Sequence, residues 1–346
     1  MVSIGQGYAK LPNVRLRRLQ GPGEEQPLAV WDEGAERWVP IGPAARLLGD
    51  SRFAGLGDDA VELLAGGAET RALLAELCEA VSDRHAELDG YEPAPLLPFR
   101  PTLVRAFALS ERHWIQSARA HLRRNLPRAA PAVAAVEAIT RRPFKPFRPK
   151  PLFYREPQYY LGNASTLIAD GAEVPWPSFT EALDFELELA AVVVAPVRDA
   201  TPAEAEAALG GFVVFNDLTA RDVQWEEVRG GIFGPIAKSK TFASALGAEV
   251  VSADTVLPRA RSLRGEVRVN GELWSATDTS DQRWTFPEML AHASRGETVG
   301  PGELLSSGTL HDGCGLELDR WLRPGDDLEL SIEGVGSVRN HIGAPQ

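Results

Sequence analysis

The sequence predicts an α+β fold rich in β-structure, and three observations carry that expectation. From about Leu152 onward, short runs of β-branched residues alternate with Gly, Pro and Asn turns, and few helical patterns separate them. Two strand-turn-strand units stand out. EVRVNGELWSA joins two alternating runs at Asn270-Gly271, a dipeptide suited to a two-residue hairpin turn, and RPGDDLELSIEGVGSVRN repeats the plan. The first hundred residues, by contrast, mix short strands with one helical stretch. With so few helices between strands, an antiparallel or mixed sheet fits better than a doubly wound one.

In chain order, VRLRRLQ, PLAVWD and RWVPIG read as short strands between Gly/Pro/Glu turns, and a helical stretch follows from about Asp58 to Arg84. The proline-dense EPAPLLPFRPTLV marks a connection, because each Pro biases its predecessor away from helix. RAFALSERHWIQSARAHLRR, from Arg105 to Arg124, has helical periodicity and an arginine-rich face expected to be solvated. A second basic, Pro-rich stretch, RRPFKPFRPKP, leads into the larger β region. The expected division is 1–95, a small accessory α+β domain; 96–150, a linker and helical lid; and 151–346, the main domain.

Bulk properties exclude several function classes. The chain has 346 residues and a net charge of -12 with its arginines spread among acids, so no nucleic-acid partner is expected. Cys78 and Cys314 lie far apart without ligand spacing, which fits a reducing cytoplasm rather than a disulfide framework or structural zinc. The N-terminus lacks the apolar core of a signal peptide, and no apolar run approaches the roughly eighteen residues of a membrane span. No membrane partner is expected.

Chemistry concentrates in two neighbouring segments. EALDFELELAAVVV alternates and then becomes wholly apolar, the pattern of a strand that starts at an accessible edge and enters a core. Residues two apart share a strand face, so Asp184, Glu186 and Glu188 project together. That cluster fits either an exposed acidic face or a site for a hard cation, whose preferred ligands are carboxylate oxygens. TPAEAEAALGG then reads as a capped helix, with Thr201 and Glu204 forming a capping box and Gly210/Gly211 ending it. The apolar strand GFVVF delivers the chain to Asn216 and Asp217, followed by Thr219, Arg221, Asp222 and Gln224. Polar groups crowded at the end of a buried strand point to a site.

LDFELEL, FNDLTARDVQ, AKSKTF, VNGELW, SSGTL and LRPGDDLELSIEGVGSVRN, in this order and spacing, resemble the core of the fumarylacetoacetate hydrolase family from about Phe99 to the C-terminus. The resemblance implies a mixed β-roll or barrel-like core, a homodimer, and one Mg²⁺, or Mn²⁺ or Ca²⁺, held by Glu186, Glu188 and Asp217. It further implies that Arg221, Gln224 and Lys238 surround the substrate's oxygens, with Lys238 a catalytic oxyanion stabiliser. His113 of SERHW matches the segment of the catalytic histidine, Glu317 of CGLELD matches the acid that orients it, and Tyr160 and Thr309 match substrate contacts. The larger members place a further ligand Asp seven residues before that histidine, where this chain has Ala106, and Lys240 stands where an aromatic is common. His85, His121, His292, His311 and His341 have no motif support and are expected to be structural.

The activity implied is metal-dependent hydrolytic C–C cleavage of an acylpyruvate- or fumarylacetoacetate-like β-diketo acid, with His113 activating water. Two alternatives stand beside it. One is a decarboxylase, isomerase or (de)hydratase of a 2-oxo acid on the same scaffold; the other is a non-catalytic binding protein with a decayed site.

Overall fold

The computed structural model describes residues 13–232 and 236–345. The expectation of no signal sequence falls on the N-terminal residues outside that range. Two sheets organise the chain. The larger runs, in order, through Arg37–Pro40, Leu28–Asp32, Arg15–Gln20, Val250–Ser252, Leu209–Asn216, Leu187–Val193, Glu303–Ser306, Leu103–Phe107 and Tyr159–Gly162. The smaller has five strands: Glu272–Asp278, Arg264–Val269, Asp327–Ile332, Gly336–Pro345 and Glu173–Trp176. Most pairings are antiparallel, but Glu303–Ser306 lies parallel to Leu103–Phe107, so the sheet is mixed as expected. Among the described residues neither sheet closes into a barrel.

The central strand Leu187–Val193 explains its own composition. Leu187, Leu189, Ala191 and Val193 belong to one core, shared with the smaller sheet, whereas Ala190 and Val192 belong to a second core beneath the N-terminal strands. A strand buried on both faces must read as a continuous apolar run. Glu188 shares a face with Ala190 and Val192 by the two-residue period, and sits on the second side.

The N-terminal strands extend the larger sheet, because Arg15 and Leu16 pair with Val251 and Val250. Leu16, Leu28 and Val39 therefore share the second core with Val213 and Phe215 of the main region. Within this unit RWVPIG is a strand only to Pro40, and a helix, Ile41–Leu48, begins at once with Ile41 and Ala44 buried. The stretch 58–84 is broken into Ala60–Ala65 and Gly67–Ala80, since Gly67 adopts φ +57°.

Arg105–Phe107 is strand rather than the start of a helix. Its residues register with Leu305 and Ser306, and the helix that follows runs from Glu111 to Asn125, capped by Ser110, whose Oγ accepts from the His113 N–H at 2.9 Å. Arg105 is buried, its guanidinium held by Glu297, Glu303 and Tyr159. The Asn270-Gly271 turn forms as expected, with φ of 52° and 78° at its two residues. The Thr201/Glu204 capping box also forms, but its helix stops at Ala207, and Gly210 and Gly211 belong to the next strand. Steric room explains this, because a Cβ at Gly210 would stand 2.2 Å from Val194 and one at Gly211 2.7 Å from Val250. No helix among the described residues is long and apolar enough to cross a membrane.

Candidate active site

Glu186, Glu188 and Asp217 converge at one end of the two central strands, each less than 5 % exposed, with carboxylate oxygens within 4.8 Å of one another. Antiparallel pairing of Leu187 with Asn216 brings them together, and the Asn216 side chain accepts the Glu186 N–H at 3.0 Å. Burial, then the charges of Asp217 and Glu186, push the Glu188 carboxyl well above its usual range, and burial pushes Asp217 up as well. Glu186 is held low instead, because Lys240 and Arg221 outweigh its burial.

Two buried cations serve this cluster. Arg221 ion-pairs with Asp184 through Nε at 2.7 Å, lies 2.8 Å from Glu186 through Nη2, and donates to the Gln224 Oε1 at 2.9 Å. Lys240 contacts Glu186 and donates to Asp217 Oδ2 at 2.7 Å, and these carboxylates keep its ammonium protonated against the effect of burial. Asp184, Glu186, Glu188 and Asp217 are four buried carboxyl groups against the two cations Arg221 and Lys240. Fully ionised, they leave two negative charges over. An all-oxygen donor set with that excess fits a divalent hard cation such as Mg²⁺, Mn²⁺ or Ca²⁺.

Hydroxyl groups complete the cluster. Tyr160 donates to Asp217, Ser306 donates to Glu188, and Ser244 Oγ lies 3.3 Å from Asp217 Oδ1. Ala106 registers against both Tyr160 and Ser306, so the position expected to lack a ligand stands beside the carboxylates with a methyl group. Asp184 lies on the same side but is fully engaged, taking Arg221 and the N–H groups of Gly315 and Leu316.

His113, in the first turn of the helix Glu111–Asn125, places Nδ1 2.9 Å from Oε2 of Glu317, whose side chain is fully buried. Glu186 and Cys314 are bridge partners, and Cys314 Sγ lies 3.4 Å from Glu317 Oε2, which places the dyad next to the carboxylates. Thr309 is buried in the loop after Glu303–Ser306. Lys238 departs from the expected arrangement: it is exposed, with its Nζ 5.0 Å from the centre of the Phe179 ring, and Lys240 is the lysine that enters the cluster. The chain enters the site two residues later because Ser239 and Lys240 are buried there, while the N–H groups of Ala237 and Lys238 are tied to the Glu227 carboxylate.

The same helix adds one residue that had no motif signal. His121 stacks on Trp225 with ring centroids 5.5 Å apart, beside Arg221 and Gln224. Burial, reinforced by the Arg221 charge, lowers its pKa to about 4. Helical spacing was the available signal, since positions 113, 117 and 121 fall on adjoining turns of one face. Ser306 opens the SSGTL segment, of which the resemblance singles out only Thr309.

Comparison with known proteins gives the family of the chain. Residues 129–343 match the family model of the fumarylacetoacetate (FAA) hydrolase C-terminal domain. The chain is 32 % identical over 165 residues to oxaloacetate tautomerase YisK of Bacillus subtilis, a match covering 47 % of this chain and 53 %, about half, of that relative. It is 29 % identical over 191 residues to the mitochondrial oxaloacetate tautomerase FAHD1 of Homo sapiens, covering 55 % of this chain and 83 % of that one. The fold resembles fumarylacetoacetate hydrolase from psychrophilic Exiguobacterium antarcticum, with a TM-score of 0.64 at 22 % identity, over 96 % of this chain and 99 % of that one. The chain belongs to the fumarylacetoacetate hydrolase family.

Proposed function

We propose that this protein is a divalent-metal-dependent enzyme acting on β-diketo acids, and that it hydrolyses a C–C bond in an acylpyruvate- or fumarylacetoacetate-like substrate. The observation that carries the reading is the His113–Glu317 pair, 2.9 Å apart beside the carboxylate triad. A divalent cation held by Glu186, Glu188 and Asp217 supplies Lewis acidity toward the substrate's carbonyl oxygens.

The chain's own groups do the rest. Glu317 accepts the Nδ1 proton of His113 and fixes the tautomer in which Nε2 is free to act as base. His113 takes a proton from water as its oxygen attacks the acyl carbonyl carbon. The bond between that carbon and the methylene then breaks, the electron pair passes into the pyruvate enolate, and the imidazolium returns its proton to the methylene carbon. Lys240 contributes positive charge to the site beside Glu186 and Asp217, and Gln224, whose Oε1 accepts from Arg221, flanks it. Arg221, engaged by Asp184, Glu186 and Gln224, serves as a brace in this reading rather than as a direct substrate contact.

A second reading rests on the tautomerase relatives. Moving a proton between the methylene carbon and the neighbouring carbonyl oxygen of a 2-oxo acid needs a positioned base and a stabilised enolate but no attacking water, and His113 suits that task equally. The non-catalytic alternative loses ground, because three carboxylates and an oriented imidazole are retained together.

Turnover of a simple acylpyruvate with Mg²⁺ or Mn²⁺ in D₂O separates these readings. Loss of the ultraviolet enol absorbance with release of pyruvate and a carboxylate supports hydrolysis. The same loss with deuterium uptake at the methylene and no cleavage products supports tautomerisation. Absence of any metal-dependent change in either signal, with the metal demonstrably bound, overturns both.

A further inference from the structure

Beside the His113–Glu317 dyad stands a third group for which the proposed reaction has no use. Cys314 is fully buried, and its Sγ stands 3.4 Å from the same Glu317 oxygen that meets His113 Nδ1 at 2.9 Å. Candidate ligand atoms of His113, Cys314 and Glu317 all lie within 4.8 Å of one another. The other Glu317 oxygen, Oε1, is buried and has no hydrogen-bond partner among the described residues. A buried carboxylate oxygen left unpaired is costly, and here it belongs to a cluster whose remaining members are an imidazole and a thiol.

We infer that His113, Cys314 and Glu317 form a second metal site, selective for a borderline or soft divalent ion of the Zn²⁺ or Co²⁺ class, and that its occupation shuts the enzyme off. Bonds of about 2.0 Å to N and O and about 2.3 Å to S set tetrahedral ligand separations of roughly 3.3 to 3.7 Å. The observed 2.9 and 3.4 Å are therefore within small side-chain adjustments of a binding geometry. Ligand chemistry divides the two sites. The triad offers only carboxylate oxygens, suited to Mg²⁺ or Mn²⁺, whereas thiolate with imidazole favours Zn²⁺.

Glu186 and Cys314 are bridge partners on adjacent backbone segments, so the two sites share a wall. Binding balances simply. The Cys314 thiol loses its proton to solvent, the His113 proton moves from Nδ1 to Nε2, and the Nδ1 lone pair goes to the metal, so one proton is released per ion bound. The inhibitory consequence rests on the role proposed above for His113, since a metallated imidazole with its Nε2 protonated is no longer a base. The binding claim stands apart from that role.

The test titrates Co²⁺ into the full-length protein held in saturating Mg²⁺, recording the near-ultraviolet thiolate-to-cobalt charge-transfer band and Mg²⁺-supported turnover in parallel. The expected result is a band that saturates at one ion per chain, disappears in Cys314→Ala, and rises in step with loss of turnover. Cys78, the only other cysteine, remains in that variant as the control. Cys314→Ala should keep its Mg²⁺-supported turnover and need at least roughly 10- to 100-fold more Zn²⁺ for inhibition, the scale on which losing even an outer partner weakens a metal site. Absence of the band in the unsubstituted protein, or its persistence in Cys314→Ala, overturns the site. A Cys314-dependent band with unchanged turnover overturns the inhibitory role alone and points to a different base.

Discussion

His113 Nδ1 and Glu317 Oε2 stand 2.9 Å apart although 204 positions separate them in the chain. The helix Glu111–Asn125 brings one and the short helix Gly315–Leu318 brings the other. In the proposed reaction a buried carboxylate in that position would orient the ring and stabilise the imidazolium that forms when it takes a proton. Glu317→Gln keeps the shape but removes the charge, so kcat should fall by about 10²- to 10⁴-fold, the usual worth of a positioned acid or base, with KM little changed. Steady-state kinetics on the variant checks this, and an unaltered kcat removes Glu317 from the reaction. His113→Ala combined with Glu317→Gln should be hardly worse than His113→Ala alone, because the two act as one unit.

The two lysines of AKSKTF should separate sharply. Lys240→Met leaves Glu186 and Asp217 buried without their ammonium partner, a change that costs about 3–5 kcal/mol when a buried pair is broken. Its Tm should drop by several degrees, and Mg²⁺ should recover part of the loss by supplying positive charge to the same carboxylates. Lys238→Met removes an exposed side chain lying over Phe179, and its Tm should stay near that of the parent protein. Thermal denaturation of both variants with and without Mg²⁺ provides the comparison. Equal losses in the two would mean that Lys240 does not hold the cluster together.

Metal should stabilise the fold itself. A ligand that binds only the folded state adds about 2.7 kcal/mol at a hundred times its Kd, so chelator should lower Tm and Mg²⁺ or Mn²⁺ should raise it. Glu188→Gln and Asp217→Asn should abolish that response. Isothermal titration calorimetry on these variants gives the direct reading; Mg²⁺ affinity that survives both substitutions places the ion elsewhere.

Acid should weaken the packing of the helix Glu111–Asn125 through His121. Its folded pKa, near 4, lies below the roughly 6.5 of an unfolded histidine, so between these values the unfolded chain binds more protons. The stability contributed by the neutral buried ring is therefore fully present above about pH 6.5 and declines as pH falls toward 4, by up to roughly 3 kcal/mol. His121→Phe keeps an aromatic ring against Trp225 and removes the titration. Urea denaturation at a series of pH values should show a shallower acid decline in the variant than in the parent, and parallel curves would remove His121 as the cause.

Much of the site was legible because strand periodicity is strict. The two-residue repeat placed Glu186 and Glu188 on one face, and the apolar run GFVVF announced that Asp217 ends a buried strand. His113 and Glu317 were reached by resemblance, since no local pattern links residues from distant segments. Lys240 was harder to read. Motif spacing favoured Lys238, while which of two lysines turns inward depends on how the segment after Gln224 packs and on the Glu227 contacts that fix its backbone. The glycine pair 210/211 misled for a similar reason. Glycine ends helices through backbone freedom, but here its missing Cβ is what lets Val194 and Val250 pack against the strand.

The most direct test of the account is turnover of an acylpyruvate by the parent protein and His113→Gln, each with Mg²⁺ and each after chelation. The account predicts Mg²⁺-dependent formation of pyruvate and a carboxylate by the parent, abolished by chelator and reduced by about 10²-fold or more in His113→Gln, which still binds Mg²⁺. Undiminished Mg²⁺-dependent cleavage by His113→Gln would contradict it, because the metal would then be working without the base around which the mechanism is built.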